Sequence, residues 1–281
     1  MTAIPGGQVS ASKFSTAFGR AGCGMKFYYR YIEGIKGAVN ASLLTGIAFD
    51  EATRQYHDNL IAGTLIEDPE VVFTEAWNNP PETNKNGEVI EYDLSDQPDD
   101  LIGSALHALA VYEQTTKDTI KPIATQVYVE QSFEETDAKL IGYIDLIEAA
   151  DNGICVSDIK TSISPRKKWT EAGAARDAQL GIYSLLADGD VTTVGWRHAR
   201  IGGKVEVGAT HVAAPKKEVV LARVTGWMNT LEAWCQTGNF PPTGLDRDAW
   251  VCSEKYCDYY HRCEFGSKSQ SVIPVTIGGT K

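Results

Sequence analysis

The stretch KLIGYIDLIEAADNGICVSDIKTS, residues 139–162, decides how the chain is read. Two apolar runs flank Asn152-Gly153, a favoured two-residue turn between antiparallel strands. With the turn there, Asp151 pairs with Ile154, and paired residue numbers sum to 305. Lys160 then stands opposite Asp145 and Asp158 opposite Ile147, which makes Asp145 and Asp158 diagonal neighbours on the order of 7–8 Å apart. Side chains alternate along a strand, so Asp145, Asp158 and Lys160 share a face with Tyr143, Ile147 and Val156, while Ile144, Leu146 and Ile159 take the other. Charges among such apolar neighbours are costly unless paired or bound to a cation. Two readings follow. One is a structural Asp–Lys pair. The other is a site where two carboxylates hold Mg²⁺ or Mn²⁺ that activates water on a phosphodiester, Lys160 positioning the water or stabilising developing charge.

Working outward, Pro122 to Thr161 reads as three strands (IATQVYVEQSFE, KLIGYIDLIEAA, GICVSDIKTS). A helix is expected at about Ala174 to Ala187, then strands in VTTVGWRHARI and KVEVGATHVAA, then a helix at about Lys217 to Thr237. Upstream, Ala41 to about Ala62 has the pattern of an amphipathic helix, with Gly46 hinting at close packing, and a second helix is expected from about Leu101 to Lys117. Residues 10–36 suit short helices broken at the glycines around Cys23, and Asn78 to Asp100 is loop-like. Strands in the middle with helices on both sides predict a mixed α/β fold, a central mixed β-sheet flanked by helices.

At 281 residues and 43% hydrophobic composition the chain can bury the core of one enzyme-sized unit. No apolar run of about 18 residues is present to span a bilayer, and MTAIPGGQVSASKF lacks a secretory pattern. The expectation is a soluble, cytoplasmic protein with no membrane partner. A net charge of −11 excludes a generally basic nucleic-acid coat, but a local groove can still be positive. The most basic local patch is Arg166, Lys167, Lys168 and Trp169, where cations could hold phosphates and the ring could stack on an unpaired base. The plainer reading is an exposed loop whose tryptophan packs on the body.

Six cysteines in a chain of this length point to metal ligands before disulfides. Cys252, Cys257 and Cys263 lie in CSEKYCDYYHRC, and Cys23 sits near the other end in AGCGMKFYYRY. Four thiolates suit an iron–sulfur cluster or a tetrahedral Zn²⁺, with His261 nearby. Cys155 and Cys235 read as small buried residues.

GYIDLIE followed by VSDIKTS resembles the G-x-x-D and D-x-K core of the PD-(D/E)XK nucleases, in the branch of the RecB and AddB nuclease domains and the CRISPR-associated iron–sulfur exonucleases. Gln179-Leu-Gly-Ile-Tyr183 is similar to that branch's Q-x-x-x-Y motif, its two polar residues one helical turn apart. The resemblance implies a single nuclease domain over 1–281, with a restriction-endonuclease-like catalytic core at 122–187. It assigns Asp145, Asp158, Lys160, Gln179 and Tyr183 to catalysis, and Asp145, Asp158 and the main chain of Ile159 to the metal. Where relatives carry a ligand histidine about four residues after a helix glycine, Gly46 is followed by Asp50 and Glu51, so Asp50 is the first choice for the third ligand and Glu51 the second. Glu130 falls where relatives often have a glutamate near the site, or is simply an exposed strand-end charge. The resemblance further implies a 4Fe–4S cluster on Cys23, Cys252, Cys257 and Cys263, joining segments 10–40 and 238–265. Four residues separate Cys252 from Cys257 here, unlike the C-x-x-C most typical of relatives.

The implied activity is a Mg²⁺- or Mn²⁺-dependent deoxyribonuclease, an exonuclease on single strands or duplex ends, serving recombination or replication in a bacterial or phage-infected cell. A helicase or recombinase is the implied partner. No Gly-rich phosphate loop with a following Lys-Ser/Thr is present, so the chain encodes no motor of its own. The rival readings are a DNA-binding or assembly subunit without activity, and a nuclease that needs a separate helicase.

Overall fold

The structure is a computed structural model that describes residues 2–65, 68–83, 89–95, 97, 100–133, 136–243 and 250–266. In chain order its principal elements are β1 (Gln8–Ser10), α1 (Ala11–Phe18), α2 (Gly24–Phe27), β2 (Val39–Asn40), α3 (Ala41–Ala62), α4 (Pro69–Asn78), β3 (Tyr92–Asp93) and α5 (Leu101–Thr116). They continue as β4 (Pro122–Phe133), β5 (Thr136–Ala150), β6 (Gly153–Ser162), α6 (Glu171–Ala174), α7 (Ala178–Leu186), β7 (Val191–Arg200), β8 (Glu206–Ala213) and α8 (Lys217–Thr237).

The helices start and stop where local chemistry dictates. Asn40 caps α3 by accepting the Leu43 N–H at 2.9 Å, and Gly63 ends it at a φ of 63° that a side chain would resist. Apolar residues at helical spacing (Leu44, Ala48, Phe49, Ala52, Tyr56) are buried along it, each large one contributing about 1.5–3 kcal/mol. Together with α4 and α5 they cover Ala199 and Ile201 on one side of the sheet. On the other side α1, α7 and α8 pack on Val9, Leu140, Ile144 and Val194.

The sheet runs β1-β5-β6-β7-β8, with β4 also on β5. β4 takes one edge of the long strand β5. The other edge is shared: β1 pairs in parallel at Lys139–Ile141, and β6 pairs antiparallel from Leu146 to Ala150. Between them β5 and β6 fork, and Asp145 and Asp158 are the first residues beyond the last ladder pair, Leu146 with Ser157.

Two sequence expectations are corrected here. Ala150 pairs with Gly153 and Ala149 with Ile154, so the two-residue loop is Asp151-Asn152 and paired numbers sum to 303, not 305. Gly153 lies inside the strand end because a Cβ there would stand 2.3 Å from the Asp190 carbonyl oxygen, which accepts the Ile154 N–H at 2.9 Å. The slip of two leaves each residue's face unchanged and makes Asp158, not Lys160, the counterpart of Asp145. The helix expected from Ala174 is two short ones, because Asp177 takes an extended backbone and caps a new helix through the Leu180 N–H at 3.0 Å.

Strict alternation also fails: Ile144 and Ile147 belong to the same core cluster. Thr125 pairs with Leu146 and Val127 with Ile144, while Gln126 and Asp145 between them make no ladder pair. α4 had no counterpart in the expectations, although Asp68-Pro69 forms an ordinary capped start. Part of the loop expected at Asn78 to Asp100 lies outside the described residues. Among the described residues no helix is long and apolar enough to cross a membrane.

Candidate active site

The fork places four charged side chains together. Asp145 Oδ2 accepts the Ile159 N–H at 2.9 Å, taking the place of a ladder bond where the strands separate. Lys160 Nζ contacts Asp158 Oδ2 at 2.5 Å and donates to Gln179 Oε1 at 3.1 Å. Gln179 Nε2 in turn donates to the Tyr183 hydroxyl at 2.9 Å, so the Q-x-x-x-Y residues on α7 steady the lysine. From α3 comes Asp50, joined to Asp145 through Gln126, whose Nε2 lies 3.3 Å from Asp50 Oδ2 and 3.4 Å from Asp145 Oδ1. Gly46, one turn earlier on α3, permits the approach to β6: a Cβ there would lie 3.2 Å from Thr161 Oγ1.

Asp158 is fully buried, yet neither of its carboxylate oxygens has a hydrogen-bond donor beyond the lysine contact at Oδ2. Burial therefore pushes its carboxyl up, with Lys160 opposing and Asp145 adding to the rise. Burial also pushes Asp50 to about 6, with Asp158 and Glu51 adding. Asp145 rises to about 6 as well, through burial and then the neighbouring Asp50. Burial alone would lower Lys160, but Asp158 and Asp145 hold it above its ordinary value. Three carboxylates that resist ionising together, with Asp158 Oδ1 lacking a donor, have the chemistry of a hard-cation site; their oxygens do not all lie within 4.8 Å of one another, so the side chains would have to close in to hold Mg²⁺ or Mn²⁺.

Other sequence candidates lie elsewhere. Asp50 and Glu51 are consecutive helix residues, about 100° apart around the axis, so only one can face the fork. Glu51 instead pairs with Arg54 at 2.5 Å. Glu130 is exposed and held by Lys139 at 2.7 Å and the Tyr128 hydroxyl at 2.8 Å, farther along the strand pair. Arg166, Lys167 and Lys168 are exposed, while the Trp169 ring stacks on His198 at 4.4 Å with Lys167 Nζ 5.7 Å away.

Cys23, Cys252, Cys257 and Cys263 line one small cavity, together with Met25, Tyr29, Tyr259 and Phe265. All four are free thiols, and the Thr243 N–H points at Cys23 Sγ at 3.3 Å. No three of their sulfurs lie within 4.8 Å of one another.

A closer group, Glu148, Cys155 and His211, does satisfy that distance. It suits a cation poorly, because Glu148 is already gripped by Arg197 through Nε at 2.9 Å and Nη2, and by the Ser157 hydroxyl at 2.7 Å. This ion pair and Gln126 escaped sequence reasoning. A lone Gln or Glu in a strand carries no local signal of its distant partner.

Fold and fork together describe a mixed α/β sheet with acids and a lysine at the point where two central strands part. Residues 8–264 match the model of the PD-(D/E)XK nuclease superfamily, and the chain belongs to that superfamily. The crystal structure of a candidate exonuclease from Eubacterium rectale is similar in fold, with a TM-score of 0.51 at 14% identity over 85% of each chain. SSO0001 aligns at 16% identity over 85% of this chain and 93% of its own, with a TM-score of 0.36 that carries no weight. No curated protein matches the chain.

Proposed function

We propose that the protein is a Mg²⁺- or Mn²⁺-dependent deoxyribonuclease working from DNA ends, as an exonuclease in recombination or replication. The observation that carries this reading is the fully buried Asp158, its Oδ1 without a donor and its Oδ2 met by the Lys160 ammonium, beside Asp145 and Asp50. Membership of a nuclease superfamily and a fold shared with a candidate exonuclease support it.

Asp50, Asp145, Asp158 and the main-chain carbonyl of Ile159 would hold the cation, an all-oxygen set that suits a hard ion. When bound, it supplies Lewis-acid polarisation of a phosphoryl oxygen and a water acidified enough to attack. Lys160 orients that water or stabilises the charge growing on the phosphate, and Gln179, backed by Tyr183, fixes the ammonium so that little reorganisation is needed. Arg166, Lys167 and Lys168, exposed just past β6, would meet the phosphate backbone. Glu51 and Glu130, each engaged by its own cation, take no part.

The four cysteines would bind a 4Fe–4S cluster that clasps the two ends of one nuclease unit. Zn²⁺ at about 2.3 Å from each sulfur would need sulfurs about 3.8 Å apart, closer than this cavity brings them.

The test is digestion of end-labelled linear DNA by anaerobically purified protein, with and without Mg²⁺ or Mn²⁺, beside an Asp158→Ala control. Metal-dependent loss of DNA in the wild type alone is expected, and the label reports polarity. DNA binding without cleavage would replace the reading with that of an assembly subunit, and cleavage only with an added helicase would make the chain a dependent nuclease. A brown colour is expected from a cluster in the cysteine cavity, and its persistence in Cys252→Ala with unchanged stability would remove the cluster.

A further inference from the structure

Among the described residues Gln126 is the only non-glycine residue with a positive φ, at 46°. Glutamine rarely takes this left-handed conformation, and in the interior of a strand it disrupts pairing. From Ala124 to Ser132 the ladder between β4 and β5 accordingly keeps one register, and within that stretch it misses only Gln126 and Asp145.

What the distortion achieves is visible in the side chains. Consecutive strand residues ordinarily point to opposite faces. Here neighbours in β4 reach the same helix: the Thr125 hydroxyl donates to Asp58 of α3, and the Gln126 amide reaches Asp50 of α3, two turns earlier. The same amide nitrogen reaches Asp145 on β5. Its two N–H groups are thus directed to two carboxylates that would otherwise repel each other across the fork. Glutamine is suited to this, being neutral, long enough to span from β4, and able to donate twice from one atom.

From this geometry we infer that Gln126 is a positioning residue, held in a strained backbone so that its amide keeps Asp50 and Asp145 turned toward each other across the fork, where a divalent cation would draw them together. The inference rests on the metal-dependent nuclease reading and deepens it. Among the described residues the Gln126 amide is the hydrogen-bond partner of the Asp50 carboxylate, so without it the third carboxylate would be placed by helix packing alone. Metal affinity would then fall, while the chemistry at saturating metal would survive, because Asp145, Asp158 and Lys160 keep their own contacts.

Three variants separate this role from a purely structural one. Gln126→Gly removes the amide and accepts the positive φ, so the metal-free protein should melt at or above the wild-type temperature. Gln126→Ala removes the amide but keeps the strain, and should melt lower. Gln126→Glu keeps the length but places a fourth carboxylate between two others.

Mn²⁺ binding is measured on the metal-free protein by the electron paramagnetic resonance signal of the free ion, and cleavage is followed against Mn²⁺ concentration. Glycine and alanine variants should both show a half-saturating Mn²⁺ concentration raised about tenfold, the usual size for loss of a group that orients a ligand. Cleavage near the wild-type rate should return at saturating Mn²⁺, and the glutamate variant should shift in its metal dependence rather than match the wild type. A Gln126→Gly protein that binds Mn²⁺ as the wild type does, in a wild type that binds and cleaves, overturns this inference alone. Failure of the wild type to bind Mn²⁺ overturns the nuclease reading and this inference with it.

Discussion

Asp158 and Glu148 are both buried carboxylates near the β5–β6 ladder, and they have opposite fates. Glu148 is closed on all sides: Arg197 grips both oxygens and Ser157 adds a third donor, so although burial would raise its pKa, those donors hold it below the ordinary range. Asp158 lies past the point where the strands fork, with one ammonium contact at Oδ2 and no donor at Oδ1, and its pKa is driven up. A satisfied buried acid is part of the scaffold. An incompletely satisfied one held in place by its surroundings marks a candidate binding site, because the protein bears its cost in the absence of a ligand.

The sharpest test of that contrast is Asp158→Asn. Cleavage should fall by at least about 10³-fold, since several kcal/mol of charge stabilisation leave with the metal ligand. The metal-free protein should meanwhile be as stable as the wild type or more so, because a buried charge has gone. Lower stability combined with intact cleavage would reverse the roles given to the two acids.

Glu148→Ala should do the opposite. It strands Arg197 in the interior and should cost about 3–5 kcal/mol in chemical denaturation, with the rate per folded molecule little changed. If that variant lost cleavage at unchanged stability, the pair would belong to the site and not to the scaffold.

A third effect follows from protonation. Asp50 and Asp145 titrate near 6 in the folded metal-free protein, above the unfolded value of about 4. Between those values the folded state holds more protons than the unfolded one, so stability drops as pH rises through this window. A cation needs these groups ionised. The gain in melting temperature on adding Mg²⁺ should therefore be small at pH 5 and larger at pH 8, as thermal scans at both pH values will show. An equal gain at the two pH values would detach Mg²⁺ from these carboxylates.

The smallest effect belongs to Glu51→Ala. It removes a half-exposed pair with Arg54 worth less than about 1 kcal/mol and should leave both cleavage and metal dependence as they were. A raised metal requirement there would bring Glu51 back as a ligand.

Much of this was written in local sequence. The bounds of α3, Ala41–Ala62, follow from helical spacing with an Asn before and a Gly after. The order Asp145, Asp158, Lys160, Gln179, Tyr183 was legible because each pair is set by strand alternation or one helical turn, and a two-residue error in the hairpin register moved no side chain to another face. Choices that rest on long-range contact were not legible. Whether Asp50 or Glu51 faces the fork depends on how α3 is rotated against β4. The Gln126–Asp50 and Arg197–Glu148 contacts bridge sequence separations of 76 and 49 residues. The sequence by itself therefore determined that Asp145, Asp158 and Lys160 share one face of a strand pair and the order of strands and helices around them, since both arise from short-range periodicity. Only the tertiary structure decided which buried charges are satisfied and which are left open, because the partner of a buried charge is whatever the folded chain brings beside it.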